Sequence, residues 1–320
     1  MAIVTKTVLV EIIDYPGSLQ SAVFGVKEFL QMANSLDSAN DSVQFHVEIK
    51  PHTDLSASSD SSNEKSKADI ILLPPNLDGS YYLEHDNRLS DYLVRSHQKG
   101  TILCSACAGV FILAQTGLLE GRTVTTHWQS QEKFSGLYPD IDIDIDIDKI
   151  LIDDADIITA GGLMSWMDLA LFILTKYTTP TNMRNLGKYL VLDTGLREQR
   201  YYQSFVPNYA HGNDKIVPVQ RFIQKNYHLP LTLGQLADEA FMTRRTFIRQ
   251  FTKATTFTPI NYIQHVRIQS ACELLESSHK PVEQISYLVG YEDVNSFRKV
   301  FMKIIGLTPS RFRSRFLSEE

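Results

Sequence analysis

The chain has too few cysteines for a disulfide framework. Three thiols, Cys104, Cys107 and Cys272, serve 320 residues, and that scarcity suits a reducing cytoplasm. No apolar run approaches the roughly 18–20 residues of a membrane span, so no membrane role is expected. The N-terminus lacks the basic and apolar regions of a secretion signal, which again leads to the expectation of a cytoplasmic protein. The nine histidines are scattered, and none stands at zinc-ligand spacing from a cysteine partner. Gly161 and Gly162 lack the following Lys and the fuller glycine pattern of a phosphate loop. Neither a metal nor a cofactor is therefore expected.

What is present begins with an asymmetry of charge. The net charge is −6. Residues 213–320 carry 15 Lys and Arg against 10 Asp and Glu, whereas the remainder carries 16 against 27. A basic module on an acidic body implies that only the C-terminal part meets a polyanion. The length also favours two domains over one core.

The first half alternates strand-like apolar runs with helical ones. Residues 7–13, 43–50, 69–73, 101–104, 123–126 and 156–159 read as strands. Residues 21–36, 86–99, 109–116 and 165–177 read as helices. That alternation predicts an α/β domain with a mostly parallel sheet flanked by helices. The Ser-rich residues 56–67 read as a loop. Residues 140–148 alternate Asp and Ile, which predicts an exposed strand with Ile on one face. Its carboxylates could attract a cation, but cation sites usually mix carboxylates with carbonyl ligands on a curving loop. A solvated strand face is the plainer reading. Apolar periodicity fades between residues 193 and 215, where Pro207, Gly212 and Asn213 punctuate the chain. The expected division is therefore a domain at 1–192, a linker at 193–215 and an all-helical domain at 216–320.

That last domain contains one pattern twice. The first copy reads LTLGQLADEAFMTRRTFIRQFTKATTFTP and ends at Pro259; the second reads KPVEQISYLVGYEDVNSFRKVFMKIIGLTP and ends at Pro309. Phe247, Phe251, Lys253, Thr258 and Pro259 recur 50 positions on as Phe297, Phe301, Lys303, Thr308 and Pro309. In the first copy Leu233, Leu236, Ala237 and Ala240 stripe a scaffold helix. Phe241 and Met242 make the turn, and Thr243 can cap the next helix. With Phe247 and Phe251 inward, Arg244, Arg245, Ile248, Arg249 and Thr252 lie outside the Phe stripe. An Arg can meet guanine O6 and N7 in a major groove, and an apolar chain can meet a thymine methyl. In the second copy Val282, Ile285 and Val289 stripe the scaffold helix, Gly290 can end it, and Asp293 can cap the reading helix. Asn295, Arg298 and Lys299 then face outward. Lys253, Lys303 and Arg311 complete the set of candidate DNA contacts. Residues 260–275 read as a long amphipathic helix that fixes the spacing of the copies. Such a duplicated helix-turn-helix on a basic module points to double-stranded DNA, at a promoter or operator, as the partner.

The stretch GYEDVNSFRKVFMKIIGLTPSRFR, residues 290–313, resembles the signature of the AraC/XylS family of transcription regulators. The resemblance covers about the last hundred residues. It implies two reading helices in successive major-groove segments on one DNA face, bound as monomer or dimer. One departure is Thr256, where the family usually has the glycine seen here as Gly306. A β-carbon disfavours positive φ, so the first reading helix is expected to end differently.

In ILCSACAGVFILAQTGLLEGRTVTTHW, residues 102–128, Cys107 follows a buried strand and precedes a helix. A sharp turn there would expose the thiol, and the helix N-terminus would favour thiolate. His127 could approach as a base, and Asp168 is a further polar candidate. The segment resembles the PfpI-like branch of the class I glutamine amidotransferase superfamily over roughly residues 5–180. The resemblance places Cys107 on the elbow cysteine, His127 on the histidine of the TTHW segment and Asp168 on the Asp of the DLAL segment. Catalytic members support the cysteine with an acid from the first helix, where this chain has SLQSAVFGVKEF and Ala22. Three readings of Cys107 stay open: an elbow without chemistry, a pocket floor that meets an effector or senses oxidation, and a hydrolytic nucleophile. A Cys104–Cys107 redox pair is a further alternative, and Cys272 reads as core. The expected function is sequence-specific transcription regulation by a homodimer that takes a small-molecule effector. No catalysis is expected, and a Cys-dependent amidase or hydrolase tethered to DNA is the alternative.

Overall fold

Residues 6–36, 43–55, 67–195 and 197–317 are described in a computed structural model. The chain divides into two units, 1–199 and 200–320.

Through the first unit run β1 (Lys6–Asp14), α1 (Gln20–Leu36), β2 (Val43–Pro51), β3 (Ile70–Leu73), α2 (Asn87–Gln98), β4 (Ile102–Ala106) and α3 (Gly109–Ala114). Then come β5 (Arg122–Val124), α4 (Gln131–Leu137), β6 (Ile143–Ile145), β7 (Leu151–Asp154), β8 (Ile157–Ala160), α5 (Trp166–Tyr177) and α6 (Pro180–Leu190). The main sheet has the order β2-β1-β3-β4-β8-β7. Its pairs are parallel except β7 with β8, which is antiparallel. This is the expected α/β architecture.

Alternation along the strands explains the layers. Val8, Val10, Ile12, Leu72, Cys104 and Ile158 pack with Val23, Val26 and Leu30 of α1, with Leu169 and Ile173 of α5, and with Leu186 of α6. Ile13, Ile71, Leu73, Leu103 and Ile157 pack with Leu89 and Leu93 of α2, all of α3 except Gly109, and Phe134 of α4. Because both sheet faces are covered, β3 is buried at every position, which is why it reads as a continuous apolar run.

The Asp-Ile repeat keeps its period but shortens to three strand residues. Ile143 and Ile145 lean on the core while Asp144 is exposed, and Thr123 of β5 pairs with Asp144 in a separate two-stranded sheet. Among the described residues, no group of three or more His, Cys, Asp or Glu could hold a metal. Among the described residues, no helix is long and apolar enough to cross a membrane. The loop expected over 56–67 lies outside the described residues but for Lys67.

The second unit holds α7 (Ile216–Asn226), α8 (Leu233–Glu239), α9 (Arg244–Thr255), α10 (Pro259–Ser277), α11 (Val282–Leu288), α12 (Val294–Ile305) and α13 (Pro309–Phe316). Each copy of the repeat closes its own core. One joins α7, α8, α9 and the first half of α10; the other joins the second half of α10, α11, α12 and α13. The shared Thr-Pro pair explains the common ending. Thr258 and Thr308 cap α10 and α13 through their side chains, and a proline follows at the first helical position of each, where its missing N–H costs nothing.

The segment expected as a linker is engaged in both units. Arg197, Glu198 and Gln199 bond to residues of the first. Phe205 packs against Phe257, Tyr262 and His265 of the second, and its N–H donates to Gln269 at 2.9 Å.

Candidate nucleic-acid interface and the cysteine turn

The two reading helices are built alike. Thr243 starts α9 by accepting from the Thr246 N–H, and Asp293 starts α12 by accepting from Asn295 and Ser296. These bonds to Ser296 and Asn295 hold the Asp293 carboxyl below its usual range. Phe247 and Phe251 are fully buried with ring centres 5.3 Å apart; Phe297 and Phe301 repeat this at 5.6 Å. With that stripe inward, Arg245, Arg249 and Lys253 stand exposed at four-residue spacing on α9, and Asn295, Lys299 and Lys303 stand exposed at the matching positions of α12. Four-residue spacing places each trio along one helix face.

The flanking candidates are differently placed. Ile248 is half-buried and packs onto the first core, so it is not the free outward side chain that spacing suggested. Its counterpart Arg298 is exposed but ion-paired to Glu283 of α11 at 2.6 Å. Arg244 folds along α8, where a β-carbon on Gly234 would stand 2.9 Å from its guanidinium. Arg311 is exposed on α13.

The expected difference in helix ending is corrected. Thr256 adopts φ +63° and Gly306 adopts φ +81°, and each N–H bonds back to the carbonyl four residues earlier. The first copy keeps the same left-handed ending in spite of its β-carbon. The Thr256 hydroxyl donates to the Thr255 carbonyl at 2.6 Å, a local bond unavailable to glycine.

In the first unit, Cys107 sits in a sharp strand-to-helix turn with φ +54°. Its N–H donates to Ala160 at 2.7 Å, and its carbonyl accepts from the Thr126 hydroxyl at 3.0 Å. The thiol is not the activated one that the turn implied. Burial pushes it up to about 11, outweighing the backbone N–H groups of Ala108 and Gly162 that favour thiolate. The residue is only 7% exposed, and α3 is a short helix with little dipole to offer.

His127 is next to Thr126, so the chain brings its backbone beside the turn. Its side chain serves elsewhere. Nδ1 accepts from the Gln129 N–H at 3.2 Å, the ring stacks on Trp128, and burial lowers its pKa. Among the described residues no hydrogen bond joins His127 to Cys107. Asp168 is taken by Arg197, whose Nε and NH2 donate to the two carboxylate oxygens at 2.9 and 2.7 Å. Ala22 is fully buried among the apolar residues of α1 and the sheet. Cys104 faces that same core, and burial pushes its thiol strongly up. Cys272 lies in the second core of the helical unit.

One residue escaped the sequence reading entirely. Gln199 is 3% exposed, its amide donates to the carbonyls of Thr126 and Ile147 at 2.9 and 3.0 Å, and it accepts from the Trp128 N–H at 2.8 Å. It fixes the segment that carries His127. A glutamine in a stretch without periodicity gave no signal of this.

Residues 236–315 match the model of the helix-turn-helix domain, and residues 27–176 match that of the DJ-1/PfpI family. The HTH-type transcriptional regulator CdhR of Pseudomonas aeruginosa is 28% identical over 228 residues, which cover 71% of this chain and 67% of that one. The HTH-type transcriptional regulator ArgR of the same species is 25% identical over 220 residues, 68% of this chain and 66% of that one. The chain thus spans about two thirds of the length of both relatives. A crystal structure of an AraC family transcriptional regulator from Pseudomonas putida covers 57% of this chain and 99% of its own, at 18% identity and a TM-score of 0.44.

Proposed function

We propose that the chain is a transcription regulator of the AraC helix-turn-helix type that carries a DJ-1/PfpI-family domain, and that it divides the work between its two units. The helical unit reads DNA through two equivalent faces: Arg245, Arg249 and Lys253 on α9, and Asn295, Lys299 and Lys303 on α12. The observation that carries this is the exposed four-residue stripe, repeated in register on both capped helices. Arg245 and Arg249 suit guanine and Asn295 suits adenine. Lys253 and Lys303, near the helix ends, suit phosphate. Arg311 adds a further phosphate contact. Arg244, Ile248 and Arg298 flank the stripes and hold the reading helices to their scaffolds.

Arg249→Ala tests the assignment. The expected loss is about 1–3 kcal/mol on the cognate site, with preference blurred at one base position. An equal loss on every sequence would reduce Arg249 to a phosphate contact.

The N-terminal unit acts in regulation, not catalysis, on this reading. Support comes from the raised thiol of Cys107, from Ala22 where an acid would be needed, and from the engagement of Asp168 by Arg197. A small-molecule effector near the Cys107 turn and homodimerisation are its proposed roles. Cys107→Ala should leave DNA binding without effector unchanged, and neither protein should hydrolyse amide or ester substrates. Cys107-dependent turnover would overturn this part of the reading. Failure of both candidate ligands and mild oxidant to alter DNA affinity would remove the proposed control.

A further inference from the structure

The segment that follows Gln199 is seated on both copies of the repeat within six residues. Its start meets the second copy. The Tyr202 ring meets Phe316 of α13 edge-on with ring centres 5.5 Å apart, and its hydroxyl accepts from the Arg315 guanidinium at 2.9 Å. That guanidinium lies 5.9 Å from the ring centre of Tyr201 and 5.6 Å from that of Tyr202, within the range of cation–π attraction. Phe316 in turn packs on the second core. Three residues on, Phe205 packs on the first core. Its ring centre lies 5.7, 5.1 and 5.3 Å from those of Phe257, Tyr262 and His265, and its N–H donates to Gln269.

The two seats lie at matching places. Phe257 is the second residue after α9, and Gly306 is the first after α12. Gly306 and Thr256 make the same left-handed ending, so the ending itself accepts a β-carbon. At Gly306 a β-carbon would collide with the Arg200 guanidinium and stand 2.9 Å from the Tyr201 ring. Thr256 is exposed. The second copy thus lacks a side chain where the segment crosses it. Between the copies runs α10, which gives its first half to one core and its second half to the other. Long helices bend, and a bend there would change the separation of α9 and α12. A segment fastened near the end of each reading helix resists that bend.

We propose that residues 200–205 form a strap that sets the separation of α9 and α12, with Tyr202 and Phe205 as its positioning residues. The inference rests on the reading of both helices as base-contacting. Adding one base pair between the two parts of a site moves the second part by about 3.4 Å and turns it by roughly 35° about the duplex. Helices held by the strap do not follow that change, whereas helices released from it do.

The test uses full-length protein at one fixed salt concentration. Its selected two-part site is presented at the selected separation and with one base pair added or removed. The unsubstituted protein should lose at least about fivefold in affinity on either change, the cost of one mismatched pair. Tyr202→Ala and Phe205→Ala should each bring the three affinities to within about twofold of one another. A merely structural role would lower affinity equally at every separation and leave the ratios intact, which overturns the proposal. Tyr202 is 39% exposed, so Tyr202→Ala decides the matter even if Phe205→Ala fails to fold. Inserting Gly-Ser-Gly-Ser between Gln199 and Arg200 should leave the ratios at the parent's values, because both seats remain. Ratios flattened by that insertion would assign the separation to the first unit's hold on Gln199 and overturn the proposal too. A parent protein that selects no two-part site would instead overturn the reading of both helices as base-contacting, and the strap's role with it.

Discussion

Thr256 and Gly306 show what one β-carbon decides. Both residues end a reading helix in the left-handed region, at φ +63° and +81°. For an L-residue that conformation costs roughly 1–2 kcal/mol relative to the right-handed region. The bond from the Thr256 hydroxyl to Thr255 offsets part of it. Thr256→Gly should therefore stabilise the protein modestly, by about 0.5–1 kcal/mol, after glycine's larger unfolded-state entropy is subtracted. Urea unfolding followed at the helical signal would measure this, and a lower midpoint would show that the hydroxyl outweighs the strain. Cys107 presents the opposite case. Its φ of +54° is the elbow that the sequence suggested, yet burial raises its thiol where the turn alone implied activation. Turn geometry was legible because it follows local pattern. Burial depends on residues far along the chain.

At the scale of elements, strands and long helices were legible wherever apolar period was strong. The sheet strands buried on both faces, the stripes of α8 and α11, and the caps Thr243 and Asp293 all appear where spacing put them. Three elements were not legible: α4, β7 and α6. The sequence of α4, QEKFSGL, buries only Phe134. The edge strand β7 buries none of its residues fully. The N1 proline of α6 marks a start, but its apolar residues are sparse. Contacts between distant elements were likewise hidden. Asp156 precedes β8, accepts from Arg122 of β5 at 2.6 Å, and meets His97 of α2 at 2.6 Å. Arg122 chiefly, with His97, lowers its carboxyl to about 2. A carboxyl whose folded pKa is depressed adds stability above its ordinary range, near 4, and that stability is lost as pH falls through the folded value. Acid should therefore weaken the first unit progressively between about pH 5 and pH 2. Asp156→Asn should lower stability at neutral pH and flatten the dependence in that window. An unchanged acid profile in the variant would remove the Arg122–Asp156–His97 cluster from the account. The effect is small because Asp156 remains 45% exposed and partly screened.

At the scale of the whole molecule, charge and duplication were legible together. The excess of Lys and Arg over residues 213–320 coincides with the two outward stripes, so bulk electrostatics and local geometry point to one partner. The boundary was less legible. Residues 193–215 lack apolar period, but Gln199 is buried in the first unit and Phe205 packs into the second. Single long-range contacts of that kind leave no repeating pattern. Cys107, His127 and Asp168 were legible as residue types and not as an assembly, because the sequence does not disclose that Arg197 takes Asp168.

We propose that both helices, α9 and α12, contact bases. Selection of random duplexes by full-length protein at one fixed, near-physiological salt concentration tests it most directly, since phosphate contacts make affinity depend on salt. The expected result is a motif of two parts centred about one helical turn, roughly 10 base pairs, apart. Parallel selections with Arg249→Ala and Lys299→Ala should each degrade a different part. Recovery of no motif, or of a single part unaffected by either substitution, would contradict it.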